Sequence, residues 1–551
     1  MLVLGLTALL VVALLVGSLV AGPALAGRLL GATNAARAGA YTQDLVTYLG
    51  QRMGLAAALL LVLLIGLAVL RASLQDLLKT ALEDAARPMR WPARVDLTIA
   101  AAAALLGMGV RIPFLSQPMR YDEALTFNEF ASRPLYYALS FYPDPNNHLL
   151  NTLLVHVTSL VLGSAPWVLR LPAFVAGVLL VPATYALAHA LYGRRAAVLA
   201  GVLVAVSSYA VEYSSNARGY TLQTLCFVVT LCLAILAVRR DSPSALLLAT
   251  LVAALGAYAL PTMFYGVAIV AAWIGLESRR TRLSRITRGQ LVVSVLVLGL
   301  VITLAYLPVM LVSGADKLVS NRFVVPLTLA ELGAELPVSL GRTWGFWNRD
   351  LSLVVSVVLV CGFALACVTQ LRPRHVPVGL LAPVVCLAIV LVQRVAPFER
   401  VWLFLLPLYF SVASGGLAMV LATRGLPSYS TAVVGCLLAG FLSYATLTSG
   451  SILDSPETGA FPDAQAVTRT LQSALETDDA VLTTLPASLP ELQYYFARAG
   501  MRTDTLVRPP AEARNLFVIV PSGVSPSVDG WGDPHELQRF PRSVLFELTR
   551  A

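Results

Sequence analysis

The chain joins a membrane-length apolar run to a pair of acids in VDLTIAAAAALLGMGVRIPFLSQPMRYDEA, residues 95–124. The run at 95–114 is long enough to cross a bilayer as a helix, which takes about 20 apolar residues. Asp122 and Glu123 follow shortly after it. Burying a carboxylate in hydrocarbon is costly, so acids at a membrane boundary must stay in water or bind cations. This stretch therefore predicts a membrane protein with functional acids beside one span.

Apolar runs of similar length recur from the N-terminus to about residue 449. The chain is 58% hydrophobic and only 13% charged, which excludes an ordinary soluble protein. The net charge of +9 does not indicate nucleic-acid binding, because the basic residues lie mostly between the apolar runs. These runs predict an all-α polytopic membrane protein of about 13 transmembrane helices. They lie at about 3–26, 54–70, 95–114, 169–191, 196–211, 221–238, 243–260, 262–276, 290–313, 351–370, 376–393, 401–422 and 430–449.

The basic residues predict the orientation of these spans. One set of alternate loops carries most of the Lys and Arg found between spans, and the positive-inside rule places that set in the cytoplasm. These loops are 71–94, 192–195, 239–242, 277–289, 371–375 and 423–429. We therefore expect a multi-pass protein of the cell (plasma) membrane, with a cytoplasmic N-terminus and an extracytoplasmic C-terminal domain.

Two segments depart from this pattern. The first span has Arg28 after it and ends in the small residues Ala24-Leu25-Ala26, as a signal-peptide cleavage site would. Its long apolar run and the missing basic start favour a retained helix. The second segment, 148–163, has the length of a short span but carries several polar residues, so we interpret it as a helix lying in or dipping into the outer interface.

This predicted topology divides the chain into three parts. Residues 1–94 hold two extra N-terminal helices and a cytoplasmic linker. Residues 95–449 form the membrane core, with a large first external loop at 115–168. Residues 450–551 are richer in charges and predict a small soluble α/β domain. In that domain we predict helices at 464–475 and 490–499 and strands at 480–485, 515–521 and 543–548. Position alone suggests a part in holding the acceptor.

Polar residues cluster on the predicted external side of the core. A site there has no access to cytosolic nucleotide sugars or ATP. The first loop supplies Asp122, Glu123, Asp144, Asn147 and His148, and shorter loops supply Glu212, Arg218, Tyr220, Glu399 and Arg400.

The order of small motifs resembles a known family. The acidic pair and a polar stretch ending in His148 are followed by Arg170-Leu171-Pro172, Tyr185-Ala186-Leu187, Leu191-Tyr192-Gly193 and Ser215-Asn216-Ala217-Arg218-Gly219-Tyr220. This order is similar to that of the GT-C membrane glycosyltransferases of the protein-mannosyltransferase and aminoarabinose-transferase kind. The resemblance covers roughly residues 95–280 and, more loosely, 290–449.

The resemblance implies a reaction and a base. Such enzymes move a sugar from a polyprenyl-phosphate donor to a hydroxyl of a lipid, glycan or protein, outside the membrane and with inversion. The family places its catalytic acid at the position of Asp122, and Glu123 would share that role or help to bind a cation. The alternative is that both acids merely cap and solvate the loop helix.

The leaving phosphate needs positive charge. Arginine suits this role because its planar fork makes paired, charge-assisted hydrogen bonds. Arg170, Arg218 and Arg400 are the candidates, and the alternative for each is contact with lipid headgroups or pairing with nearby acids such as Glu212 and Glu399.

The remaining polar residues of these loops are candidates for substrate binding. They are His148, Asn147, Asp144, Glu212, Tyr220 and Glu399. Asp144 to Asn147 also has ordinary turn chemistry. The sequence indicates no certain cofactor. The candidate ligands for a divalent cation, Mg²⁺ or Mn²⁺, are Asp122, Glu123 and His148. The six cysteines fall within predicted spans and predict no disulfide.

Two other classes of function compete with the enzyme. A transporter or flippase of lipid-linked sugars would place charges at mid-span in paired broken helices, whereas these charges cluster at one boundary. In a non-enzymatic scaffold for the external domain, the acids and arginines would be dispensable. The expected partners are the lipid-linked donor, the acceptor and membrane lipids, and no nucleic acid.

Overall fold

The computed structural model describes residues 2–21, 25, 42–87, 93–281, 283–319, 324–370, 376–455, 459, 461–485 and 488–550. Most of them are helical. The helices are α1 Leu2–Val20, α2 Thr42–Val69, α3 Arg71–Ala85, α4 Arg94–Arg111, α5 Tyr121–Thr126, α6 Leu135–Ala138, α7 Leu149–Leu162, α8 Pro166–Tyr192, α9 Arg194–Val206, α10 Ser208–Ser214, α11 Tyr220–Arg240, α12 Pro243–Ala259, α13 Met263–Arg280, α14 Arg288–Val312, α15 Asp316–Val319, α16 Leu329–Trp347, α17 Leu353–Gln370, α18 Val378–Gln393, α19 Leu406–Thr423, α20 Ser428–Thr448, α21 Ala464–Ala474 and α22 Leu489–Arg498. The strands are β1 Ala480–Thr483, β2 Asn515–Pro521, β3 His535–Arg539 and β4 Ser543–Thr549.

Helices occupy every predicted span. Within the described ranges, nine helices are long and apolar enough to cross a membrane, or ten if α9 and α10, bent by 58°, form one broken span. The apolar helices α7, α12 and α18 are shorter. The total of 13 spans and the sides of the two termini stay predictions. Arg28 and most of the cleavage-site-like segment lie outside the described residues.

The break between α9 and α10 leaves backbone carbonyls that need partners inside an apolar bundle. The fully buried Arg111 side chain donates from Nη1 to the Ala205 carbonyl at 2.7 Å and from Nη2 to the Val204 carbonyl at 3.3 Å. The Thr446 hydroxyl donates to the Val206 carbonyl at 2.8 Å. These bonds satisfy the end of α9 and hold α10 in its new direction.

The loop 115–168, called the external loop after its predicted side of the membrane, is largely folded. It contains α5, continued by a π-helical turn at Phe127–Ala131, then α6 and α7. The predicted helix at 148–163 is confirmed as α7, which packs along α8; its depth relative to a membrane stays a prediction. The loop therefore forms a fixed layer over one end of α8.

The sequence interpretation missed helices that lie between predicted spans, among them α3 in the loop 71–94 and α16. Residues 314–350 join two predicted spans and were given no helix, yet they contain α16. A reciprocal capping box starts this helix: the Glu331 N–H donates to the Thr328 hydroxyl oxygen at 3.3 Å, and the Thr328 N–H donates to the Glu331 carboxylate at 2.8 Å. Its T-x-x-E pattern was readable in the sequence.

The C-terminal region contains the predicted α/β layer. Its four-stranded sheet has the order β1-β2-β4-β3. Strands β1 and β2 are parallel, with Val481 opposite Phe517, and β2 and β4 are antiparallel, with Val518 opposite Phe546. The antiparallel edge strand β3 was not predicted, because its residues HELQR lack apolar alternation. The predicted helices are α21 and α22.

The sheet domain packs onto the external loop through α22. The Met119 N–H donates to the Tyr495 hydroxyl oxygen at 3.0 Å, and the Asn128 side chain donates to the Pro490 carbonyl at 2.9 Å. Buried apolar residues from both parts form one cluster that includes Met119, Ala124, Ala131, Phe461, Ala464, Val467, Leu471, Leu492 and Phe496. The domain therefore sits directly over α5, the helix that carries the acidic pair.

Candidate active site

Asp122 lies in the first turn of α5, between two arginines from distant parts of the chain. Its Oδ2 atom is 3.6 Å from Nη2 of Arg218 and 3.6 Å from Nη1 of Arg400. These distances exceed those of normal hydrogen bonds, so charge attraction holds the groups together without tight pairing. The Asp122 side chain is 14% exposed. Three of the predicted site residues therefore meet at one partly open place.

Arg218 is fixed by the folded loop. Its Nη1 atom donates to the Thr126 hydroxyl oxygen at 3.0 Å and to the Asn146 carbonyl at 3.2 Å. The side chain is only 2% exposed. Thr126 and Asn146 were not among the predicted site residues; the polar turn that holds Asn146 was the only signal for it. The guanidinium is thus held in place before any ligand arrives.

His148 precedes α7 and lies beside Arg218. The Gly219 N–H donates to its Nδ1 atom at 2.9 Å, so the neutral ring carries its proton on Nε2. That Nε2 atom lies 3.4 Å from Nη2 of Arg218. Burial, together with the charges of Arg218 and Arg400, lowers the pKa of His148 well below its usual range. Two N–H donors, one neutral and one cationic, therefore converge.

Glu123, next to Asp122, has a different environment. It is 1% exposed, and its two oxygens accept from Nε of Arg170 at 2.8 Å and from Nη2 of Arg170 at 2.6 Å. The Ala217 N–H donates to it at 2.6 Å and the Arg120 N–H at 3.1 Å. Burial alone would raise the pKa of this carboxyl, but Arg170 and the Ala217 N–H lower it below the ordinary value. All of its acceptor capacity is in use.

Arg170 is equally enclosed. It is fully buried, and Nη1 donates to the carbonyls of Leu115 and Gln117 at 2.8 and 2.7 Å. Nη2 donates to the Pro118 carbonyl at 2.9 Å as well as to Glu123. Arg170 therefore joins α8 to the start of the external loop, and none of its nitrogen atoms is left for a ligand.

A second buried group of charges surrounds Glu212. One carboxylate oxygen lies 3.0 Å from Nη1 of Arg120, and the other lies 2.5 Å from Nη2 of Arg349. Glu212 itself is 0% exposed. Neither arginine was predicted as a site residue. This group ties α10 to the loop 115–168 through Arg120 and to the segment 314–350 through Arg349. It includes none of the groups that contact Asp122.

The other predicted substrate-binding residues have protein partners. The Asn147 amide donates to the carbonyls of Ala138 and Phe141 at 2.8 and 2.9 Å. Glu399 lies 2.9 Å from Nε of Arg342. Asp144 accepts from the Asn146 N–H at 3.0 Å, as an aspartate that stabilises a turn does. The Tyr220 ring packs edge-on against His148, with centroids 5.0 Å apart. Of this group, only His148 and Tyr220 lie beside Arg218.

An apolar cavity of about 380 Å³ has lining residues that are close to Arg400 in the sequence. Trp402, two residues after Arg400, lines it. The other lining residues are Leu336, Leu340, Thr343, Trp344, Trp347, Pro383, Cys386, Leu387, Val390 and Leu405. The cavity therefore offers an apolar, aromatic surface between α16, α18 and the helical turn that carries Arg400.

One further acid was missed by the sequence interpretation. Glu491, in the first turn of α22, is fully buried, and neither of its carboxyl oxygens accepts a hydrogen bond from another described residue. Burial and the negative charges of Glu123 and Asp122 raise the pKa of Glu491 to about 8. Its sequence context, an acid near the start of an amphipathic helix, gave no sign of this.

The proposed metal ligands do not form a cation site. Both oxygens of Glu123 are bonded to N–H donors, and Nδ1 of His148 accepts from Gly219. In the described part of the chain, no three His, Cys, Asp or Glu side chains are grouped as metal ligands.

The helical bundle with its folded first loop and small external domain has the GT-C membrane glycosyltransferase fold, which confirms the resemblance predicted from the sequence. The apo crystal structure of ArnT from Cupriavidus metallidurans matches with a TM-score of 0.51 and 14% identity, over 82% of this chain and 97% of that one. The archaeal oligosaccharyltransferase AglB from Archaeoglobus fulgidus, in complex with an inhibitory peptide and a dolichol-phosphate, matches with a TM-score of 0.45 and 11% identity, over 78% of this chain and 69% of that one.

A family model described as dolichyl-phosphate-mannose-protein mannosyltransferase matches residues 149–307. That stretch runs from α7 into α14 and includes Arg170, Arg218 and Tyr220. Comparison with curated protein sequences gives no match.

Removing the charge of Glu123 should destabilise the protein. In Glu123→Gln the Arg170 guanidinium stays buried without its counter-charge, and breaking such a pair costs about 3–5 kcal/mol. We expect a large fall in the thermal midpoint or in the yield of folded protein. Glu335→Gln is the matched control, because its pair with Arg342 is about half exposed and should matter by less than about 1 kcal/mol. Equal stability of the two variants would contradict the structural role of Glu123.

Glu491 should make stability depend on pH. Its pKa is raised from 4.5 to about 8 in the folded chain, so protonation favours folding at low pH, and this contribution is lost as the pH rises through that interval. We expect the thermal midpoint of Glu491→Gln, relative to the unmodified protein, to increase between pH 5 and pH 8. Glu536→Gln, on the exposed β3, should show no such trend. A difference that stays constant with pH would refute the assignment.

Proposed function

We propose that this protein is a membrane glycosyltransferase that moves a sugar from a polyprenyl-phosphate donor to an acceptor hydroxyl on the extracytoplasmic face. The observation that carries this proposal is the convergence of Asp122, Arg218, Arg400 and the Nε2–H of His148. It places a carboxylate beside N–H donors that suit a phosphate. The family match to dolichyl-phosphate-mannose-protein mannosyltransferases supports a lipid-phosphate donor.

Asp122 is the proposed general base. The acceptor oxygen attacks the anomeric carbon, its proton passes to Asp122, and the bond from the anomeric carbon to the phosphate oxygen breaks. The polyprenyl phosphate leaves with the bonding electrons, and the displacement inverts the anomeric centre. Asp122 suits this step because its carboxylate is partly exposed and is held only by long contacts of 3.6 Å. Glu123 has no free oxygen for the same task.

Arg218, Arg400 and His148 are proposed to hold the phosphate. Nη2 of Arg218 and Nε2 of His148 are two donors 3.4 Å apart, and Oδ2 of Asp122 stands 3.6 Å from the same Arg218 nitrogen, beyond hydrogen-bond distance. An anion bound there would accept from both donors. Because His148 is neutral, it donates a hydrogen bond to the phosphate without placing a second positive charge beside Arg218. Arg170 is excluded from this role by its enclosure, so we assign it, with Glu123, to holding the loop.

The apolar cavity is the proposed place for the start of the lipid chain. Its lining is almost entirely apolar, and Trp402 joins it to the turn that carries Arg400. A polyprenyl chain seated there would bring its phosphate towards Arg400. Apolar contact and charge would thus act on the two ends of one ligand.

Asp122→Asn should fold normally and lose transfer. A general base contributes roughly 10²- to 10⁴-fold to a rate, so we expect a loss in that range. The measurement is the transfer of radiolabelled sugar from a panel of polyprenyl-phosphate sugars to membrane acceptors. Glu129→Gln, an acid of the same loop with no part in the site, is the control. Normal transfer by Asp122→Asn at normal expression would refute the assignment of the base.

Arg400→Gln should weaken the binding of undecaprenyl phosphate. Losing a charged donor to phosphate corresponds to about a tenfold or greater rise in Kd. Quenching of the tryptophans at the cavity, Trp344, Trp347 and Trp402, gives the readout. Arg502→Gln, on the exposed surface of the external domain, should bind as the unmodified protein does. An unchanged Kd for Arg400→Gln would remove Arg400 from the donor site.

A further inference from the structure

Glu491 lies on the face of α22 that meets the external loop. Tyr494 and Tyr495 follow it by three and four residues, the spacing of side chains on one helix face. The Tyr495 hydroxyl accepts from the Met119 N–H at 3.0 Å, and the Tyr494 ring packs edge-on against Phe127 with centroids 5.8 Å apart. Phe127 directly follows α5. This face of the external domain is therefore directed at the helix of the acidic pair.

The Glu491 carboxyl group has no hydrogen-bond partner in another described residue. It is fully buried, and its own backbone N–H is the one group that favours the charged form. Leaving a buried polar group unpaired is unfavourable, and native proteins do so rarely, mostly at places that serve function. Asp122 and Glu123 are its charged neighbours, and both influence its ionisation. A ligand hydroxyl at this place would supply the partner that the carboxyl lacks.

We propose that Glu491 is a hydrogen-bond partner for a hydroxyl-bearing acceptor substrate, so that the external sheet domain completes the active site. This inference rests on the function proposed above. It gives the C-terminal domain a direct contact with the molecule that receives the sugar. The acceptor would lie at the place where α22 meets α5.

The chemistry of this place favours a hydroxyl group over an ion. A protonated carboxyl has one O–H donor and one carbonyl acceptor, which match the acceptor and donor of an alcohol. An anion would gain no attraction from the neighbouring carboxylates of Asp122 and Glu123. A cation would find little uncompensated charge, because Arg170 pairs with Glu123 and two arginines face Asp122. A sugar or alcohol hydroxyl is the group that fits.

The test separates acceptor binding from the rest of the reaction. Purified full-length protein receives an active polyprenyl-phosphate sugar and graded amounts of membranes that lack this chain, as the source of acceptor. We expect Glu491→Met to raise the acceptor amount for half-maximal rate by about tenfold, the effect of lost hydrogen bonds. The maximal rate and the Kd for undecaprenyl phosphate should stay unchanged. Glu491→Gln, whose amide keeps a donor and an acceptor, should remain within about threefold of the unmodified protein.

The outcomes decide between the proposals. Glu536→Met, on the exposed surface of the same domain, controls for a general effect of the substitution, and undecaprenyl phosphate binding reports folding. Unchanged acceptor dependence of Glu491→Met, or equal impairment of Glu491→Gln and Glu491→Met, overturns the role of Glu491 alone. If Glu491→Met fails to bind undecaprenyl phosphate, Glu491→Leu takes its place. Its acceptor dependence is then compared with that of Glu491→Gln. If the unmodified protein transfers no sugar from any donor, the proposed function fails and this inference falls with it.

Discussion

The buried pair of Glu123 and Arg170 is the interaction on which the arrangement of the site depends. It joins α5 to α8, and through the N–H of Ala217 it also fixes the loop that carries Arg218. A buried ion pair is worth keeping only when both charges are fully hydrogen-bonded, and here they are. Asp122 and Arg218 are the groups given chemical roles above. Each is adjacent in sequence to a residue that this contact anchors, Glu123 and Ala217 respectively. Their separation is therefore set by a contact that takes no part in the reaction.

The same rule governs charge elsewhere at this end of the bundle. Arg111 is buried without a carboxylate, yet it has the carbonyls at the broken end of α9 as acceptors. Glu212 is buried between Arg120 and Arg349. Apolar surroundings force each such group to find partners in the protein. Against that background, an acid such as Glu491, with no partner in the described residues, stands out.

Much of the fold could be predicted, because apolar length and alternation are local properties. The spans and most elements of the external domain follow from them. The helix α16 was missed although its capping box was present, and β3 lacked a pattern to find. The site was harder. Asp122, Arg218, Arg400 and His148, chosen from the sequence, lie together in the structure. The enclosure of Arg170 and Asn147, in contrast, depends on tertiary contacts. Glu491 comes from a separate domain, and no local pattern reports what packs over it.

Helix geometry explains why two adjacent acids have different roles. Consecutive residues point about 100° apart on a helix of 3.6 residues per turn, so when Glu123 faces the bundle, Asp122 faces its open end. The strength of their pairs differs accordingly. Arg170 binds Glu123 at 2.6 Å with no exposure, whereas Arg218 and Arg400 stand 3.6 Å from Asp122. A tight buried pair cannot release its arginine without stranding a charge. The long contacts of Arg218 and Arg400 with Asp122 can be exchanged for contacts with a phosphate at little cost, which leaves the Asp122 carboxylate able to accept a proton.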